Sequence, residues 1–138
     1  MKKKIKKVWH QQKAFAFDVA PFETDLVVFI NPTEEFMKKS LKDMMGKGYA
    51  NFDEREIGEW DSSKTDKGRL IKVAGGFAIL VKANKNQFRE FVGVLTHEIV
   101  HAVQYILRQR RIGLSEETEE VHAYLTENLL VRILKELY

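Results

Sequence analysis

Hydrophobic and polar positions along the chain predict a small set of strands and helices. Ala14 to Val19 puts Phe15, Phe17 and Val19 on one side, the period of a half-buried strand. Leu26 to Ile30 is a short continuous apolar run and also predicts a strand. Asn31-Pro32-Thr33-Glu34 then reads as a helix start, with Asn31 as N-cap, Pro32 at the first helical position and Glu34 able to close a capping box. Phe36, Met37, Leu41, Met44 and Met45 give that helix an apolar face, and Gly46 or Gly48 would end it. Residues 49–67 are polar, with Phe52, Ile57 and Trp60 as the only evident anchors. Arg69 to Ala74 and Phe77 to Ala83 read as a hairpin turning at Gly75-Gly76, where both positions accept positive φ. Asn84 is the expected cap of a long helix reaching the Arg108 to Arg111 region, with Gly113 as its stop. Ser115 is the expected cap of a last helix that carries Glu116 and Glu117 in its first turn and buries Val121, Leu125, Leu129, Ile133 and Leu137.

These elements predict one α+β domain over residues 1–138, a small, mostly antiparallel sheet packed on the long helix, with the last helix closing over it. A chain of 138 residues can bury roughly two-thirds of its unfolded surface and needs no staples. Its 44% hydrophobic and 31% charged residues are the balance of a soluble globular protein. The chain holds no cysteine, which excludes a disulfide framework, a zinc ribbon and a thiol nucleophile. Any metal must therefore be held by histidine and carboxylate. The lack of cysteine also suits a reducing, cytoplasmic setting.

Net charge is a mild +3, but Lys2, Lys3, Lys4, Lys6 and Lys7 crowd the start of the chain. Val8 and Trp9 give way at once to His10, Gln11, Gln12 and Lys13, so the apolar run of a signal peptide does not follow. No stretch approaches the ~20 apolar residues of a membrane helix. Residues 1–12 are expected to be a basic, solvated arm. Nucleic-acid binding is not expected, because no aromatic interleaving or nucleic-acid motif accompanies the lysines.

Residues 97–101 read His97-Glu98-Ile99-Val100-His101. On a helix, residues four apart differ by about 40° in direction and about 6 Å in height, so both imidazoles can reach one ion. Glu98 points to the side of that site and can take a proton from water without being a ligand. Phe88, Phe91, Val92, Leu95, Ile99, Val103 and Ile106 place an apolar stripe beside the histidines. A catalytic zinc site takes three protein ligands and keeps one position open. Glu120 is the candidate third ligand, 19 positions beyond His101 with 18 residues between them, far enough along for the chain to turn at Gly113 and return. His122 lies about 200° round the helix from Glu120, so the two cannot face the same ion.

His-Glu-x-x-His, a spacer of 18 residues, then Glu with Ala123 three positions later resembles the gluzincin branch of the zincin metallopeptidases. The resemblance covers roughly residues 68–130 and extends loosely to small proteins of phage and mobile elements with the same pattern. It implies one Zn2+ held by His97, His101 and Glu120, with Glu98 as catalytic base in peptide-bond hydrolysis. It also implies that Phe77 to Lys82 is an edge strand receiving an extended protein or peptide substrate. Thermolysin-like enzymes carry an Asp four residues after the ligand Glu, where this chain has Tyr124. Tyr124 then has two readings, a stabiliser of the oxyanion or a residue packed in the helix–helix seam. The chain is unlike metzincins, since Gln104 and Leu107 stand where that pattern needs Gly and His. The competing expectation is a non-catalytic binding or regulatory protein on the same scaffold, such as a mobile-element inhibitor of a host factor.

Overall fold

The computed structural model describes residues 12–45, 67–73, 76–83 and 88–137. The lysine arm, His10, most of the polar segment 49–67, the helix stops Gly46 and Gly48, Ala74 and Gly75 of the hairpin, and the cap Asn84 lie outside the described residues. The described chain is mixed α+β, with seven elements. They are β1 (Lys13–Val19), β2 (Thr24–Ile30), α1 (Glu34–Met45), β3 (Gly68–Val73), β4 (Gly76–Val81), α2 (Phe88–Gln109) and α3 (Glu119–Leu137).

The strands form one sheet in the order β1-β2-β4-β3. β1 pairs antiparallel with β2, from Lys13 opposite Ile30 to Val19 opposite Thr24. β4 pairs parallel with β2 and antiparallel with β3. All six residues of β4 are buried, and so are all those of β2 except Asp25. That is the pattern of strands covered on both faces, and it explains their unbroken apolar runs. On one face, Leu26, Val28, Ile30, Phe77, Ile79 and Val81 meet the apolar sides of α2 and α3. On the other, Val27, Phe29, Ala78 and Leu80 meet Met37 and Leu41 of α1.

This topology corrects the edge-strand assignment. Phe77 to Val81 is central, hydrogen-bonded to strands on both sides, and Lys82 lies just beyond it. The terminal strand beside it is β3, whose exposed Lys72 interrupts the apolar pattern. Gly76 is likewise not a turn residue but the first residue of β4, paired with Val73. Its role is close approach, since a β-carbon there would collide with the Asp25 backbone on β2.

The helix ends also differ from expectation. The cap of α1 is Thr33, whose Oγ1 accepts the Phe36 N–H at 3.2 Å. Asn31 stays with the sheet, donating its N–H to Val81 O, while its Oδ1 accepts the Ala83 N–H at 2.7 Å. Helix α2 stops before Gly113. Arg111 takes the left-handed conformation (φ 62°), and the N–H groups of Arg111 and Ile112 donate to Arg108 O and Leu107 O. This is a Schellman stop built on arginine. Helix α3 begins three residues later than Ser115 would place it, after a turn in which the Thr118 N–H donates to Ser115 O. Its inward residues are His122, Leu125, Leu129, Ile133 and Leu137, with His122 in place of Val121, which is exposed.

The two long helices sit over different parts of the sheet. Arg132 of α3 donates to Asp18 O and lies 5.0 Å above the Phe17 ring, which places α3 over β1. Helix α2 lies over β4 and β3, where Tyr105 stacks on Phe77 and Lys67 pairs with Glu90. Among the described residues no helix is long and apolar enough to cross a membrane.

Candidate metal centre

Residues 97–101 fall in the middle of the 22-residue α2. The core side of that helix is fixed by Phe91, Leu95, Ile99, Ala102, Val103 and Ile106, all buried. His97 and His101 are therefore turned to the opposite, solvent side. Their Nε2 atoms stand 3.1 Å apart, with the rings nearly perpendicular at 77°. Two nitrogens bound to one tetrahedral zinc at ~2.0–2.1 Å are separated by about 3.3 Å. The observed separation is close to that value. Without an ion, the same spacing lets one imidazole N–H donate to the other ring nitrogen.

Glu98 is buried, unlike the histidines on either side of its turn. Gly68 of β3 creates its niche. A β-carbon at position 68 would stand 3.2 Å from Glu98 Cγ and 3.4 Å from Oε1, and would strike Val94. Burial pushes the Glu98 carboxyl above its ordinary value, partly opposed by the nearby His97, His101 and Arg69. A carboxyl desolvated in this way is a better proton acceptor, once ionised, than a solvated one.

The structure does not bring Glu120 to this pair. Among the described residues, no group of three or more histidines, aspartates or glutamates is placed to hold a metal. Glu120 is exposed in the first turn of α3, and α3 lies over β1 while the histidine stripe runs beside β3. The cause is the inward face of α3. Glu120 points about 200° away from the buried His122. Turning it inward would expose Leu125, Leu129, Ile133 and Leu137, each worth roughly 1.5–3 kcal/mol of burial. His122 is no ligand to the pair either, since its Nε2 lies 3.2 Å from Ile112 O and secures the α2–α3 connection.

Tyr124 shares the outward face of α3 and is 67% exposed. It lines a surface groove with Ala20, Phe22, Val121 and Val131, so it is neither in the helix seam nor beside the histidines.

Two features of the site escaped the sequence. Gly68 gave no signal, because only the close approach of β3 to α2 makes a glycine necessary there. Tyr105 and Arg108 lie four and seven residues after His101, a helical spacing that places them on the same stripe. Comparison with known proteins finds no matching family model, no matching curated protein and no matching solved structure.

Proposed function

We propose that the chain is a metal-dependent peptidase of the His-Glu-x-x-His type, acting in the cytoplasm. The observation that carries this reading is the 3.1 Å separation of the His97 and His101 Nε2 atoms beside a buried Glu98. His97 and His101 would hold one Zn2+, which when bound supplies a Lewis acid and a water of lowered pKa. Glu98 is the general base. It takes a proton as water attacks the peptide carbonyl, and returns it to the amine nitrogen as the C–N bond breaks.

Among the described residues no strand pairs with the outer side of β3, a position that suits an extended peptide. Lys82 N–H donates to Lys67 O, so in the alternating antiparallel pattern the backbone groups of Gly68 and Leu70 turn away from β4. A substrate strand added there runs directly alongside Glu98 and the histidines.

The test is zinc content and hydrolysis of fluorescently labelled casein by wild type, Glu98→Gln and His97→Ala. Zinc bound by wild type and by Glu98→Gln, with turnover at least 100-fold lower in Glu98→Gln, supports the assignment. Equal turnover in Glu98→Gln removes the base from the mechanism. One observation favours a second reading, a non-catalytic binding or regulatory protein. Only two protein ligands converge among the described residues. Zinc binding without hydrolysis of casein, in a protein that captures a single partner, would establish that reading instead.

A further inference from the structure

One helical turn beyond His101, α2 and the edge strand enclose a groove of about 500 Å³, lined by Leu70, Lys72, Phe77, Tyr105 and Arg108. Its floor is a stack of three groups. Phe77 is buried, and the Tyr105 ring lies over it at 5.9 Å and 23°. The Arg108 guanidinium lies 5.5 Å from the centroid of the Tyr105 ring. Tyr105 remains 45% exposed, so its outer face is open to the groove. The stack therefore offers a planar, apolar wall that ends in a positive group.

Resting on the peptidase reading above, we infer that this groove selects substrate, taking an aromatic side chain with a carboxylate next to it in the chain. The ring packs against Leu70 and the Tyr105 face, in the offset geometry that aromatic pairs favour. The carboxylate meets Arg108. A guanidinium held on an aromatic face keeps its planar fork of N–H donors available to a bidentate acceptor. Lys72 on the opposite wall adds positive charge of the same sign. Position fits as well. His101 and Tyr105 are one turn, about 6 Å, apart along α2. An extended peptide rises about 3.4 Å per residue, so the groove receives a side chain one or two residues from the bond at the histidines. The carboxylate has two possible sources, an acidic side chain following the aromatic residue where the chain leaves the strand at that point, since successive side chains of a strand face opposite ways, or the C-terminus of the peptide.

The experiment is a titration of chelator-treated protein, followed by amide NMR, with acetyl-Phe-Asp-amide, acetyl-Gly-Phe with a free terminal carboxylate, acetyl-Phe-Asn-amide and acetyl-Ala-Asp-amide. Shifts at Leu70, Phe77, Tyr105 and Arg108 are expected, with one acidic phenylalanine peptide binding at least five-fold tighter than the Asn and Ala controls. Which of the two binds tighter identifies the source of the carboxylate. Arg108→Gln should abolish the preference over the Asn peptide and keep that over the Ala peptide, and Tyr105→Ala should do the reverse. Equal binding of all four peptides, or shifts confined to other surfaces, overturns the inference. Because this readout needs neither zinc nor turnover, binding with the expected selectivity but no cleavage by the zinc-loaded protein fails the peptidase reading alone. Cleavage of these peptides without selectivity fails the groove alone.

Discussion

Gly68 of β3 and Glu98 of α2 are so close that a β-carbon on the glycine would stand 3.2 Å from Glu98 Cγ. This approach seats the edge strand against the helix and buries the one carboxylate that lies between the histidines in sequence. Gly68→Ala is expected to push Val94 and Glu98 aside and to destabilise the protein by about 1–3 kcal/mol, the usual range for overpacking. Urea unfolding of the two proteins measures it. A change below about 0.5 kcal/mol, the level of an ordinary surface substitution, would mean that β3 yields freely and does not hold Glu98 in place.

The helix stop at Arg111 makes the opposite kind of prediction. A side chain in the left-handed region costs roughly 1–2 kcal/mol, and glycine relieves it at the expense of a more disordered unfolded chain. Among the described residues, Arg111 at φ 62° shows no compensating bond beyond its backbone N–H to Arg108 O. Arg111→Gly should therefore gain up to about 1 kcal/mol, read as a Tm higher by a few degrees. A lower Tm would show that the arginine side chain contributes to stability.

Metal affinity separates the two histidines from the carboxylate that the sequence pairs with them. His97→Ala or His101→Ala leaves a single imidazole, and zinc affinity should fall at least ten-fold, as measured by competition with a fluorescent chelator. Glu120→Ala should match wild type within two-fold, because Glu120 is exposed on a helix that lies over the far strand β1. A large loss in Glu120→Ala would require α3 to turn over when metal binds.

The contrast between these residues marks what the sequence can specify. Local patterns carried well. The positions of all four strands follow from the apolar runs, and the proximity of the two histidines from the four-residue spacing on α2. What failed was non-local. An apolar hairpin strand looks the same at the edge or the centre of a sheet, and only its parallel pairing with β2 makes β4 central. On α3 only the first inward position differs, His122 being buried and Val121 exposed. Leu125, Leu129, Ile133 and Leu137 face inward as the spacing predicts, and that same face leaves Glu120 and Tyr124 on the solvent side.

Glu98 supplies a test of burial itself, in metal-free protein held in chelator. Desolvation raises its carboxyl above the ordinary value, more than the neighbouring His97, His101 and Arg69 lower it. A raised folded value means that the folded state prefers the protonated acid. The stability this group supports is fully present below the unfolded value of about 4.3, and is lost as pH rises through the folded value. Above the unfolded value the wild type therefore bears a cost of burying this acid that Glu98→Gln does not. The glutamine variant should have the higher Tm at pH 7, and its advantage should shrink steadily and vanish as pH falls below about 4.3. Thermal unfolding of both proteins across that range decides the point. A wild type that is the more stable of the two at pH 7 would mean that its positive neighbours outweigh burial. Glu98 would then be held as an ion-paired anchor rather than kept as a strained, reactive base.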